Sequence, residues 1–156
     1  MIYVFDSSTL IDIFDHYYPG QFPSFWENFD NVISQSKLVS VREVFNEIDS
    51  RDDALSAWAK EHKDKLFPPS TSEELTIVRK IFEVEHFQMM IRTQERLQGK
   101  PVADPFVIAK AKIFDACVVT QEKFTENVAK IPNVCKHFGI PCFNLEGFME
   151  KEKWIF

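Results

Sequence analysis

Met1-Ile2-Tyr3-Val4-Phe5-Asp6-Ser7-Ser8-Thr9-Leu10 opens the chain, and the order of residue types in it decides how the fold is read. Ile2 to Phe5 is a short β-favouring run without helical period, and it stops at an acid. Ser7-Ser8-Thr9 supplies N-cap chemistry, after which Leu10, Ile11, Ile13, Phe14 and Tyr17 carry an apolar stripe at helical spacing. Strand, acid, cap and helix follow one another, so Asp6 is expected at the carboxyl end of a first strand. Tyr18-Pro19-Gly20 closes the helix.

The same alternation continues along the chain. A helix is predicted from about Pro23 to Ser36, a short strand at Leu38 to Val41, and a helix from Arg42 to Asp49 with Val44, Phe45 and Ile48 apolar. Asp52-Asp53 to Leu66 reads as another helix, broken by Phe67-Pro68-Pro69. Ser72 with Glu73, Glu74 and Leu75 starts a long amphipathic helix that is expected to run to about Leu97 and to stop at Gly99 and Pro101. Asp104 then stands as an N-cap with Pro105 at the first helical position. Ala116 to Thr120 is a buried strand, Gln121 to Phe124 a loop, Pro132 to Phe138 a helix ending at Gly139, and Ile140 to Leu145 a last strand before a short C-terminal helix.

Short strands separated by helices imply βαβ crossovers. The expected fold class is α/β, in three layers, with a mainly parallel central sheet of four to five short strands and helices on both faces. In such folds sites form beyond the carboxyl ends of the strands, where both Asp6 and Glu122 fall.

The bulk numbers bound this reading. With 156 residues the chain fits one domain, 1–156, and residues 50–100 stand out as a polar, helical insertion or lid. The chain is 45% hydrophobic and 27% charged, an ordinary globular balance, and its 16 Phe favour an aromatic core. Three Cys without CxxC spacing are expected as buried reduced thiols. The N-terminus has no basic n-region or cleavage site and the chain has no apolar stretch of membrane length, so a cytoplasmic protein without membrane attachment is expected. A net charge of −6 argues against broad duplex binding. It does not argue against a site made of carboxylates that cations neutralise.

Four acids lie at element ends beside apolar residues: Asp6, Glu47, Asp104 and Glu122. Glu43, four residues before Glu47, shares its helical face and is an additional candidate. Two carboxylates 4 Å apart repel by about 4 kcal/mol at an effective dielectric near 20. A divalent ion removes that cost, and hard oxygen ligands suit Mg²⁺ or Mn²⁺, which can activate water and stabilise charge on a scissile phosphate. Each acid also has a structural alternative: Asp6 and Asp104 as helix caps, Glu43 and Glu47 as solvated helix residues, Glu122 as a loop residue.

Taken in order, the motifs resemble the PIN domain, the fold of VapC-type toxins and of several RNA-maturation endonucleases. Val4-Phe5-Asp6-Ser7-Ser8 resembles its opening strand and first acid, and Glu43-Val44-Phe45-Asn46-Glu47-Ile48 the helix with the second acid, Glu47. Asp104-Pro105-Phe106-Val107-Ile108-Ala109-Lys110-Ala111 resembles the third-acid helix. Val118-Val119-Thr120-Gln121-Glu122-Lys123-Phe124 resembles the strand ending in Thr, with an acid two residues on and then Phe. Glu122 stands where many PIN domains have Asp, and the stretch from Ser50 to Lys100 is longer than in compact toxins.

The resemblance implies a metal-dependent endoribonuclease, a hydrolase of RNA phosphodiesters. Asp6, Glu47 and Asp104 would be the core Mg²⁺ or Mn²⁺ ligands, with Glu122 supporting a second ion or a bound water. Ser7 and Thr120 would steady carboxylates by hydrogen bonds, and Arg42, Lys110 and Lys123 are the cations nearest in sequence for RNA contact. Implied partners are the RNA substrate, a cognate antitoxin if the protein is the toxin of a toxin–antitoxin pair, and a second copy in a homodimer. The competing expectation is a catalytically weak PIN-like module that binds RNA or a protein partner. A phosphatase built on Asp6 ranks last, because Ser8 occupies the position where haloacid-dehalogenase-like enzymes place a second Asp.

Overall fold

In the computed structural model the described residues are 1–90 and 102–156. Four strands form one sheet in the order β2-β1-β3-β4: β1 Tyr3–Phe5, β2 Leu38–Val39, β3 Cys117–Val119 and β4 Cys142–Phe143. Every pairing is parallel, with Val4 beside Val39 on one side and Val118 on the other. A parallel sheet covered on both faces reads as short apolar runs, and β1 and β3 are buried at every residue. The fold is thus α/β with an all-parallel sheet and flanking helices, as the alternation of runs implies.

The helices among the described residues are α1 Ser7–His16, α2 Pro23–Ser34, α3 Arg42–Ile48, α4 Ala54–Glu61, α5 Lys63–Leu66, α6 Ser72–Glu83, α7 Asp104–Ile113, α8 Ile131–Phe138 and α9 Leu145–Lys151. Their ends follow local chemistry. Asp53 and Thr71 each make a capping box, with Ser56 and Glu74 respectively, and α8 stops at Gly139, whose φ of 68° favours a residue without Cβ. Phe5 packs edge-on against Phe148 and tilts on Phe29, which stacks on Phe25. Trp154 returns the C-terminus to Phe25 and Phe148, while Ile155 stays 90% exposed.

Several expectations need correcting. The cap of α1 is Asp6 itself, not Ser7, Ser8 or Thr9, which form the first helical turn. The helix expected from Asp52 to Leu66 is two, separated at His62. The long amphipathic helix ends at Glu83, because Val84 is extended (ψ 107°) and a 3-10 turn, Glu85–Gln88, follows. Its expected continuation to Leu97, and its stop at Gly99 and Pro101, lie outside the described residues. Residues 50–90 are built into the core: Leu55, Ala59, Leu66, Phe67 and Ile81 are fully buried. Cys117 and Cys135 are buried free thiols and Cys142 is half-buried. No helix among the described residues is long and apolar enough to cross a membrane.

Candidate functional site

The chain runs from β1 through α1 and α2 to β2 on one side, then crosses to β3 on the other side of β1. That reversal opens a crevice at the carboxyl ends of β1 and β3, the place where open α/β sheets carry ligands. Asp6 leaves β1 there, its backbone N–H reaching Val119 O at 3.2 Å. It is buried and held by four neighbours. Thr120 Oγ1 donates to Asp6 Oδ2 at 2.6 Å, Ser8 Oγ to Oδ1 at 2.8 Å, and Thr9 gives its backbone N–H at 3.0 Å and its hydroxyl at 3.1 Å. Burial raises the carboxyl above its ordinary value, and these donors act against that rise.

Glu47 comes from α3, which faces α1. Ser7 Oγ donates to its Oε2 at 2.8 Å, and the backbone N–H of Ala103 donates to its Oε1 at 3.0 Å. Glu122 follows β3 in the loop and accepts the N–H of Ile131, at the start of α8, at 3.0 Å. Burial raises the carboxyl of both. The hydrogen bonds lower each, and the Asp6 charge adds to the rise.

Asp104 is the most perturbed of the set. Burial, then the charges of Glu122, Asp6 and Glu47, push it up to about 8, and no contribution works in the other direction. The cap of α7 is Ala103, with no side-chain cap bond, and Asp104 is the first residue of the helix. The expectation that Asp104 is an N-cap is therefore wrong. Its carboxylate faces the other acids and not the helix N–H groups.

The four acids that are far apart in sequence thus lie within electrostatic reach of one another. Even so, no three or more His, Cys, Asp or Glu side chains among the described residues are arranged as a ready metal-binding group. The two observations measure different things. Charge acts over several ångströms, whereas ligation needs oxygens converging on one point, and Glu47 and Glu122 are turned onto backbone N–H donors instead. The donor set itself fits a hard divalent cation: all four are carboxylates, whose mutual repulsion a bound cation relieves, as a proton on Asp104 does in its absence.

Other expected residues fall differently. Ser7 and Thr120 do hydrogen-bond carboxylates. Glu43 accepts from Ser70 Oγ at 3.0 Å, while its Oε2 is buried without a partner among the described residues. Arg42 is occupied structurally, its Nε donating to Phe67 O at 2.7 Å. Lys110 is only 2% exposed, so it does not present its ammonium to RNA. Its Nζ lies 2.9 Å from Glu74 Oε1, an ionic contact not aligned as a hydrogen bond, and 5.0 Å from the Phe114 ring centroid. Lys123 is exposed. Sequence reading missed Ser8 and Thr9 as donors to Asp6, although a hydroxyl two or three residues after an N-cap Asp is the local signal for such bonds. The donors from Ala103 and Ile131 are backbone groups and carry no sequence signal.

Fold and site define an all-parallel α/β protein with a carboxylate cluster at its topological switch point. The chain belongs to the DUF4411 family, a domain of unknown function, whose family model matches residues 3–156. No curated protein matches the sequence.

Proposed function

We propose that the chain is a PIN-like, Mg²⁺- or Mn²⁺-dependent endoribonuclease whose site is Asp6, Glu47, Asp104 and Glu122. The observation that carries this reading is the state of Asp104, a carboxyl pushed up to about 8 by burial and by three neighbouring acids. A structure that gathers four acids against their own repulsion is organised for a cation. The order of the four motifs, which resembles the PIN family, supplies the substrate class.

Asp6, Glu47 and Asp104 would hold the ion, and Glu122 a second ion or a water. When bound, the ion supplies a lowered water pKa and charge stabilisation at the phosphate. The chain's own part is positional. Thr120, Ser8 and Thr9 fix both oxygens of Asp6, and Ser7 fixes Glu47, so these carboxylates present defined lone pairs. Asp104 carries a proton near neutral pH, which it would release on binding a cation.

A second reading, a catalytically weak module that binds RNA or a protein, is favoured by one observation. Glu47 and Glu122 each accept a backbone N–H and so have a structural use without metal.

The deciding experiment titrates Mn²⁺ and Mg²⁺ into the wild type and Asp104→Asn, and follows cleavage of a pool of structured RNAs. Metal-dependent cutting that disappears in the variant supports the nuclease. Metal binding without cutting moves the weight to the binding module, and absence of both ends the metal reading. A toxin role would add a co-purifying antitoxin, and a homodimer would show in the mass measured by light scattering.

A further inference from the structure

Beside the acids, beyond the ends of β3 and β4, lies a cleft of about 470 Å³. That is within the range of small-ligand pockets. Thr120 and Glu122 belong to its wall as well as to the carboxylate cluster, so the two spaces are continuous. The rest of the lining differs in character from the acids. Lys123 and Lys136 are exposed cations on it, and Phe124 and Phe143 contribute aromatic rings.

Two facts make these residues unusual in this chain. The net charge is −6, yet Lys123 and Lys136 both line this cleft, and Lys136 Nζ stands 4.9 Å from the Phe124 centroid. Most of the Phe residues serve the core, and of the four that are well exposed, Phe22, Phe114, Phe124 and Phe156, it is Phe124 (49% exposed) that lines this cleft, two residues after Glu122. The Phe124 ring is thus exposed with the Lys136 ammonium over it and with Lys123 on the same cleft wall, next to acids suited to a cation. That arrangement matches a nucleotide, whose base stacks on a ring and whose phosphate takes a cation.

We infer that this cleft is a base-stacking subsite: Phe124 receives the nucleobase adjoining the scissile phosphate of single-stranded RNA, and Lys123 and Lys136 bind that nucleotide's phosphate. The inference rests on the ribonuclease reading above and adds to it where the substrate lies. Gln121, which also lines the cleft, holds it in place from behind. Its Oε1 accepts the N–H of Leu145 at 2.8 Å and its Nε2 donates to Asp12 at 2.9 Å. The cleft is therefore braced to α9 and α1 and does not depend on the Phe124 ring for its shape.

The test uses the full chain, Ca²⁺ as divalent ion, and a fluorescein-labelled ten-nucleotide single-stranded RNA of mixed sequence, read by anisotropy. Phe124→Ala is expected to weaken binding about tenfold, the loss of one stacked base. Phe124→Trp is expected to bind as well as the wild type or better. Lys136→Ala should weaken binding and flatten its dependence on salt by about one ion. Wild-type affinity in Phe124→Ala overturns the subsite, as does equal loss in Phe124→Ala and Phe124→Trp, which would point to loop shape. If Phe124→Ala binds normally while Asp104→Asn still abolishes cleavage, the subsite fails and the nuclease stands. If the wild type binds no RNA, or Asp104→Asn cuts like the wild type, the nuclease reading falls and the subsite with it.

Discussion

Replacing Asp104 by Asn is expected to stabilise the metal-free protein, and to do so more as the pH rises. In the fold the carboxyl titrates at about 8, against an ordinary value of 3.8. Below 3.8 it is protonated in both folded and unfolded chains and costs nothing. Between 3.8 and 8 the folded state holds a proton that the unfolded state has released, so stability falls with increasing pH until the folded group also ionises. At about 1.36 kcal/mol for each tenfold change in proton affinity, the ceiling on that loss is ~6 kcal/mol. Water entry and movement of Glu122 and Glu47 reduce it, and a net gain of about 2–3 kcal/mol for Asn at pH 8.5 is expected. For a domain of this size that is about 4–12 °C in Tm.

The assay is thermal unfolding by circular dichroism, in excess EDTA, from pH 4.5 to 9. The two proteins should differ least at pH 4.5 and separate progressively toward pH 8.5, with the variant higher. Adding Mn²⁺ at pH 8 should raise the wild type and close the gap, because the cation replaces the proton as countercharge. A variant less stable than the wild type at pH 8.5, or a gap that does not change with pH, would refute the idea that the acids repel one another.

Thr120→Val removes the 2.6 Å bond to Asp6 from a buried site and should cost about 1–3 kcal/mol in urea unfolding. It should also raise the Asp6 carboxyl further, so that metal affinity at pH 6 falls more than at pH 8. Lys110→Met leaves Glu74 buried opposite no cation and should cost about 3 kcal/mol or more. Adding Glu74→Gln should return part of that loss. Independent effects that simply sum would show that the pair is not coupled.

Helix α7 shows why local reading succeeds and fails in the same segment. Its start is legible because Pro105 favours the first turn of a helix. Yet Asp104 does not cap the helix, although Asp before Pro is locally a strong capping pattern. The competing force is tertiary: α7 packs against α6 and β1, and this places the Asp104 carboxylate among acids from three other segments. The same packing explains Lys110, expected from its sequence position to contact RNA but held against Glu74 of α6 in the interior.

By itself the sequence determined the elements: the short apolar runs that became parallel strands, the helical stripes, the Gly139 stop, and the four acids placed at element ends. Those features depend on neighbours within a few residues, and backbone sterics and burial act at that range. Only the tertiary structure decided the strand order β2-β1-β3-β4, and hence that Asp6 and Glu122 share one crevice. It also decided which donors hold each acid. Thr120 reaches Asp6 across 114 positions of sequence and Ala103 reaches Glu47 across 56. Contacts of that separation are set by how whole elements pack, and no periodicity in the chain records them.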